Sequence, residues 1–162
     1  MGSNLGNRKE NLKKGLFFLQ QTGLKVKALS NVYETSPWGF KTPNSFYNLI
    51  ALVETSLSPW ALLFEIKKIE ASMGKIPKLL KGDYQDRLID IDLIFYEDLV
   101  LDTKVLTLPH PLAHLRDFVL VPALEVIPDW VHPILKKTTQ NLFEEKTRLF
   151  LSKKLKKIGP LL

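Results

Sequence analysis

Two carboxylates, Asp90 and Asp92, stand two residues apart in the stretch Arg87-Leu88-Ile89-Asp90-Ile91-Asp92-Leu93-Ile94-Phe95-Tyr96. Strand side chains alternate between faces, so Ile89, Ile91, Leu93 and Phe95 are expected on one face and both aspartates on the other. The first set is β-branched and aromatic, as a buried strand face requires. On the second, the aspartate Cα atoms lie roughly 7 Å apart at the rise of a strand. Carboxylates that close repel each other. A hard cation relieves the repulsion, and Mg²⁺ is typically held by one or two carboxylates plus the phosphate oxygens of a nucleotide. The competing explanation is a charged outer face on an edge strand, which discourages pairing with other chains.

Other residues of chemical interest lie on both sides of this pair. Phe46-Tyr47-Asn48 places an aromatic ring and an amide on one face, where Phe46 could stack on a flat ligand and Asn48 could donate and accept. In Tyr33-Glu34-Thr35-Ser36-Pro37-Trp38-Gly39 a strand gives way to irregular backbone that could bond the edge of a heterocycle, or merely punctuate the strand. His110 sits between Pro109 and Pro111, whose rings fix a stiff turn. That imidazole could face a phosphate or a metal, or serve only the turn; no serine motif accompanies it. Arg116-Asp117-Phe118 adds a guanidinium and a second ring, whereas His114 and His132 read as structural.

These residues need elements to position them. Asn7-x-x-Glu10 resembles a capping box for a helix with Leu12, Leu16 and Leu19 on its buried side, stopped at Thr22-Gly23. Residues 25–36 and 45–56 are expected as two strands joined by a loop through Pro37-Trp38-Gly39 and Pro43. Ser58-Pro59 opens a second helix, with Leu62, Ile66, Ile69 and Met73 as its buried stripe and Gly74 as its stop. Residues 75–86 show no period and carry Lys75, Lys78 and Lys81, which predicts a mobile lid over an anionic ligand. Short segments near 99–101 and 105–107, a buried helix or apolar turn segment at 118–126 and an amphipathic helix near 140–150 complete the chain. Gly2-Ser3-Asn4-Leu5-Gly6 has no Lys-Ser/Thr and reads as a turn feeding the first helix rather than a Walker loop.

Length and composition narrow the class. With 162 residues, 45% hydrophobic and 25% charged, the chain suits one soluble globular domain over 1–162. It has no cysteine, which excludes disulfides, thiolate metal sites and a cysteine nucleophile. No apolar run is long enough to span a bilayer, so no membrane partner is expected and the cytoplasm is the default location. The net charge is +6, but residues 136–162 alone hold eight Lys/Arg against Glu144 and Glu145, which accounts for all of it. The basic end is expected as a C-terminal helix and tail with a solvated face, not a nucleic-acid site.

Taken together, Tyr33–Gly39, Phe46–Asn48, Arg87–Phe95, Leu108–Pro111 and Arg116–Leu124 resemble, in order and spacing, the 6-hydroxymethyl-7,8-dihydropterin pyrophosphokinases, and Gly2–Gly6 resembles that family's Gly-Ser-Asn-Leu-Gly. The resemblance runs to about residue 135. It implies an α+β, ferredoxin-like monomer that moves pyrophosphate from ATP to the hydroxymethyl group of a reduced pterin, releasing AMP, in folate biosynthesis. It further implies two Mg²⁺ ions on Asp90 and Asp92, and a pterin held by Phe46, Phe118, Asn48, Arg116 and the backbone around Thr35 and Trp38. Arg87, Lys75 and His110 would serve the phosphates, with Glu70, Thr107 and His110 on the nucleotide side.

This chain departs from that pattern in places. Family members usually have arginine where Lys75 stands, and many have Gly-Pro where Gln85-Asp86 precedes Arg87. They also carry a strand before Gly-Ser-Asn, where here only Met1 precedes Gly2, so the leading strand is expected to be absent. Two other readings compete: a ferredoxin-like module that binds single-stranded RNA through sheet aromatics and the basic tail, and a truncated, inactive member of the same family.

Overall fold

The computed structural model describes residues 1–39, 41–74, 85–149 and 155–162. In chain order these form β1 (Gly2–Ser3), α1 (Arg8–Gln21), β2 (Lys25–Leu29), β3 (Val32–Thr35), β4 (Phe46–Asn48), β5 (Ala51–Glu54), α2 (Pro59–Ser72), β6 (Leu101–Asp102), β7 (Thr107–Leu108), α3 (Asp117–Leu124), α4 (Thr139–Leu149) and β8 (Lys156–Gly159). A turn of 3₁₀ helix at Ala113–Leu115 precedes α3. The result is a mixture of helices and antiparallel strands: a four-stranded sheet in the order β1-β4-β3-β8 and two pairs, β2-β5 and β6-β7.

Local sequence explains the helix ends. The Asn7 side chain accepts the N–H of Glu10 and starts α1; Ser58 accepts the N–H of Ala61 and, with Pro59 at the first helical position, starts α2. Gly74, at φ +89°, adopts the left-handed conformation that ends α2. Leu12, Leu16 and Leu19 of α1 meet Leu62, Ile66 and Ile69 of α2 in the main core, together with Val32, Leu49, Ile89 and Ile91. A second, smaller core joins Ile50, Ala113, Val119 and Ala123.

Each long strand expected at 25–36 and 45–56 is broken in two, because the hairpin changes sheet midway. β2 pairs with β5, and β3 with β4. At the break Ser30 donates its N–H to Ile50 O, and its hydroxyl accepts the N–H of Ile50, both at 2.9 Å, so both backbone groups of Ile50 are satisfied there. The basic end contains more than a helix: β8 lies antiparallel to β3, and Leu161 just beyond it is 2% exposed in the main core.

The leading strand is not absent but minimal. Gly2 and Ser3 pair with Asn48 and Tyr47, and Gly2 exchanges both backbone hydrogen bonds with Asp90, at 2.8 and 2.7 Å. Two residues suffice there because the Met1 carbonyl and nitrogen also bond Leu49. An apolar groove of about 380 Å³ lies beside Met1, bounded by β5 and by residues 91–97. Among the described residues the outer edge of β5 has no strand partner, and after its bridge at Asp90 the segment expected as the Asp-bearing strand joins no ladder. The face alternation nevertheless holds at Ile89, Ile91 and Leu93, which pack into the main core. It ends at Phe95, whose ring lies against Trp130 at a centroid distance of 4.1 Å.

Candidate active site

The open ends of β1, β3 and β4, the Asp90–Ile94 segment, one face of α2 and the start of α3 enclose a pocket of about 540 Å³. Asp90 and Asp92 both line it, brought to one side by the strand alternation. Asp90 pairs with Arg87 across 3.0 Å. Glu70, on α2 and 1% exposed, accepts the N–H of Ile91 at 2.8 Å and pairs with Lys67 at 2.9 Å, so its charge is compensated where it is buried. Lys67 also lines the pocket, although nothing in its surroundings in the sequence singled it out.

Another part of the lining is aromatic and amide. Asn48 donates through Nδ2 to the Thr35 hydroxyl at 2.7 Å, which fixes which way the amide faces. Gly2 is part of this wall for a steric reason: a Cβ there would lie 2.7 Å from Asn48 Oδ1, so only glycine lets β1 pass beside it. Phe46 and Phe118 line the same cavity. The Arg116 guanidinium is stacked at 4.5 Å from the Trp38 ring and 5.5 Å from that of Phe118. Its Nε is buried and has no hydrogen-bond partner among the described residues. A buried donor without a partner is costly, and an anionic or carbonyl oxygen in the pocket would satisfy it.

His110 reaches the pocket from the turn after the cis Leu108–Pro109 bond. Burial pushes its pKa down, opposed by Asp92 and reinforced by Arg116, so the ring is neutral at pH 7. Nδ1 accepts the N–H of Leu112 at 3.2 Å, which leaves Nε2 carrying the proton as a donor. A neutral Nε2–H donor suits a phosphate oxygen. His132, in contrast, spends Nδ1 on the N–H groups of Ile134 and Leu135 in its own turn.

Eleven of the predicted positions therefore converge: Thr35, Trp38, Phe46, Asn48, Glu70, Arg87, Asp90, Asp92, His110, Arg116 and Phe118. Thr107 does not line the cavity; its hydroxyl faces Thr103 O at 3.5 Å, inside the β6–β7 connection. Lys75 and nearly all of the predicted lid lie outside the described residues. For a metal, two carboxylates with no third His, Cys, Asp or Glu form an incomplete set among the described residues. That donor set fits Mg²⁺, which keeps waters and takes phosphate oxygens to complete its shell, better than a metal that needs a closed protein cage.

Comparison with known proteins agrees with this geometry. The family model described as 7,8-dihydro-6-hydroxymethylpterin-pyrophosphokinase (HPPK) matches residues 1–128. A 2-amino-4-hydroxy-6-hydroxymethyldihydropteridine pyrophosphokinase of Aquifex aeolicus is 38% identical over 147 residues, 91% of this chain and 89% of that protein. One of Porphyromonas gingivalis is 39% identical over 134 residues, 82% and 90%. The folic acid synthesis protein fol1 of Schizosaccharomyces pombe is 40% identical over 162 residues, 97% of this chain but 22% of its own length. A family match across the pocket-forming residues, with relatives of similar length at this identity, means that the chain belongs to the 7,8-dihydro-6-hydroxymethylpterin-pyrophosphokinase family.

Proposed function

We propose that this chain transfers the pyrophosphoryl group of ATP to the hydroxymethyl oxygen of 6-hydroxymethyl-7,8-dihydropterin, giving the pterin diphosphate and AMP for folate biosynthesis. The observation that carries the reading is a single cavity lined both by the carboxylate pair Asp90 and Asp92 and by the aromatic and amide side chains of Phe46, Phe118 and Asn48. The pterin oxygen attacks the β-phosphorus, the bond from that phosphorus to the α-bridging oxygen breaks, and AMP leaves with the electron pair. Asp90 and Asp92 would hold two Mg²⁺ ions, which when bound neutralise the triphosphate and the departing AMP.

The rest of the work falls to side chains. Phe46 and Phe118 bracket the pterin, and Asn48, oriented by Thr35, reads its polar edge. Arg116 sets its guanidinium at the junction of pterin and phosphate, His110 donates from Nε2, and Arg87 and Lys67 add positive charge beside the triphosphate. Catalysis of this kind depends on holding the attacking oxygen in line and excluding water, with little proton chemistry. Such an enzyme, of ferredoxin-like fold, acts as a monomer in the cytoplasm. The RNA-binding reading is not favoured, since Phe46 faces a concave pocket that holds two carboxylates.

The test is AMP release from Mg²⁺-ATP with and without the dihydropterin. AMP formation that requires the pterin supports the reading; none under saturating substrates would sink it and leave the chain an inactive relative.

A further inference from the structure

Asp86 has no place among the residues expected to touch a ligand, yet its carboxylate gathers three side-chain donors from two distant parts of the chain. Oδ1 accepts from Asn4 Nδ2 at 2.6 Å. Oδ2 accepts from the Thr42 hydroxyl at 2.9 Å and from Asn44 Nδ2. Burial would raise this carboxyl, but these bonds and the neighbouring Arg87 bring it below the ordinary range, so it is ionised at neutral pH.

Asn4 is itself pinned. It is 2% exposed, its Oδ1 accepts the N–H of Arg87 at 2.7 Å, and its own N–H donates to Arg87 O at 3.1 Å. Thr42 and Asn44 belong to the loop between β3 and β4, the loop that carries Trp38 over the Arg116 guanidinium. One carboxylate thus ties the loop forming the pterin-side wall to the backbone of Arg87, whose guanidinium pairs with Asp90 on the phosphate side.

We infer that Asp86 is a positioning residue for pyrophosphoryl transfer, latching the Trp38 loop to the Arg87 anchor and so setting the pterin wall relative to the phosphate grip. The inference rests on the pterin pyrophosphokinase reading of the pocket. Because Asn4 still holds the Arg87 backbone when Asp86 is removed, the loss falls on the pterin side. A residue serving stability alone would lower the melting temperature and leave the two Michaelis constants in their original ratio.

The experiment measures AMP formation with each substrate varied in turn, for Asp86→Ala, for Thr42→Val combined with Asn44→Ala, and for all three together. Asp86→Ala is expected to raise KM for the pterin about tenfold while KM for ATP moves by less than about threefold, the scale of one broken coupled contact. The loop-side pair should do the same, and the triple variant should add little, since the latch is already open. Asp86→Asn should recover part of the loss. The Asn44 amide can turn to offer its oxygen, whereas the oxygen of Asn4 is committed to Arg87. A pterin KM within about twofold of wild type for both Asp86→Ala and the loop-side pair, or fully additive effects, overturns the inference. Should Asp86→Ala fail to fold, the loop-side pair carries the test. Absence of AMP from the wild-type chain would instead overturn the reading of the pocket, and the latch with it.

Discussion

The carboxylate of Glu70 accepts the backbone N–H of Ile91 at 2.8 Å, and Ile91 is the residue between Asp90 and Asp92. Fixing that one amide fixes the direction of both aspartates, so a helix residue aims them through the backbone between them. Glu70→Ala leaves a buried N–H unsatisfied, at a cost of about 1–3 kcal/mol. It should also weaken apparent Mg²⁺ affinity by about 10- to 100-fold, as loss of an outer-shell partner does. Glu70→Gln keeps an acceptor and should lose far less. Thermal melts and Mg²⁺ titrations of AMP formation check this; an unchanged Mg²⁺ dependence in Glu70→Ala would leave Glu70 only a packing role.

Asp90→Ala and Asp92→Ala should each lower turnover by on the order of 10³, or ~4 kcal/mol of transition-state stabilisation. Their stabilities should differ. Asp92 is exposed in the pocket, so its loss should leave the melting temperature nearly unchanged, whereas Asp90 balances Arg87 at 3.0 Å. Near-normal turnover of either variant at saturating Mg²⁺ is the result that rules out the metal assignment.

Phe118→Ala removes one ring of the aromatic wall and one face of the Arg116 stack. Pterin binding should weaken by roughly 1–3 kcal/mol, the scale of a base stacked on an aromatic ring. ATP affinity should change much less. Calorimetry that finds equal losses for both ligands would point to a folding role for Phe118.

Glu125 sets an acid limit on stability. Burial alone would raise its carboxyl, but bonds from Lys157, Tyr33 and Asn31 bring it down to about 2. A carboxyl depressed on folding stabilises the fold above its unfolded pKa, near 4.5, and the contribution disappears as pH falls through about 2. Glu125→Gln should therefore be less stable than wild type at pH 7, with the gap closing between about pH 4.5 and 2. Urea melts across that range test it, and a gap that does not vary with pH would remove Glu125 as its cause.

The apolar groove beside Met1 lies between β5 and residues 91–97. Fusing an alternating apolar heptapeptide ahead of Met1 should fill it and raise the melting temperature by a few degrees, the effect of ~1 kcal/mol in a domain of this size. The same peptide with its alternation shifted by one residue, which turns its apolar side chains away, should not. Equal melting temperatures for both fusions would show that the groove does not take a strand.

Much of the site was legible because its chemistry is local. Asp90 and Asp92 are two residues apart, Phe46 and Asn48 likewise, and Pro109 and Pro111 frame His110 within one turn. Helix caps at Asn7 and Ser58 were readable for the same reason. What escaped depends on partners far along the chain. β8 was hidden because Lys156 and Lys157 look like a solvated face, and only the fold brings Glu34 and Glu125 opposite them. The Asp86 latch joins residues more than 40 positions apart, and the splitting of both long strands follows from a change of sheet that hydrophobic periodicity does not register. Thr107 lies outside the cavity in the two-residue β7, with its hydroxyl facing Thr103 O.

The pairing of β8 with β3 also has a consequence for synthesis. Val32 and Tyr33 meet partners at Gly159 and Lys157, and Leu161 seals the core behind them. At a synthesis rate of about 5–20 residues per second, roughly 6–25 s separate the appearance of the two strands. Throughout that interval β3 has one edge uncovered and the main core lacks its last apolar side chain. The nascent chain is therefore vulnerable until β8 emerges, and its yield in the cell should depend on what shields that edge in the meantime.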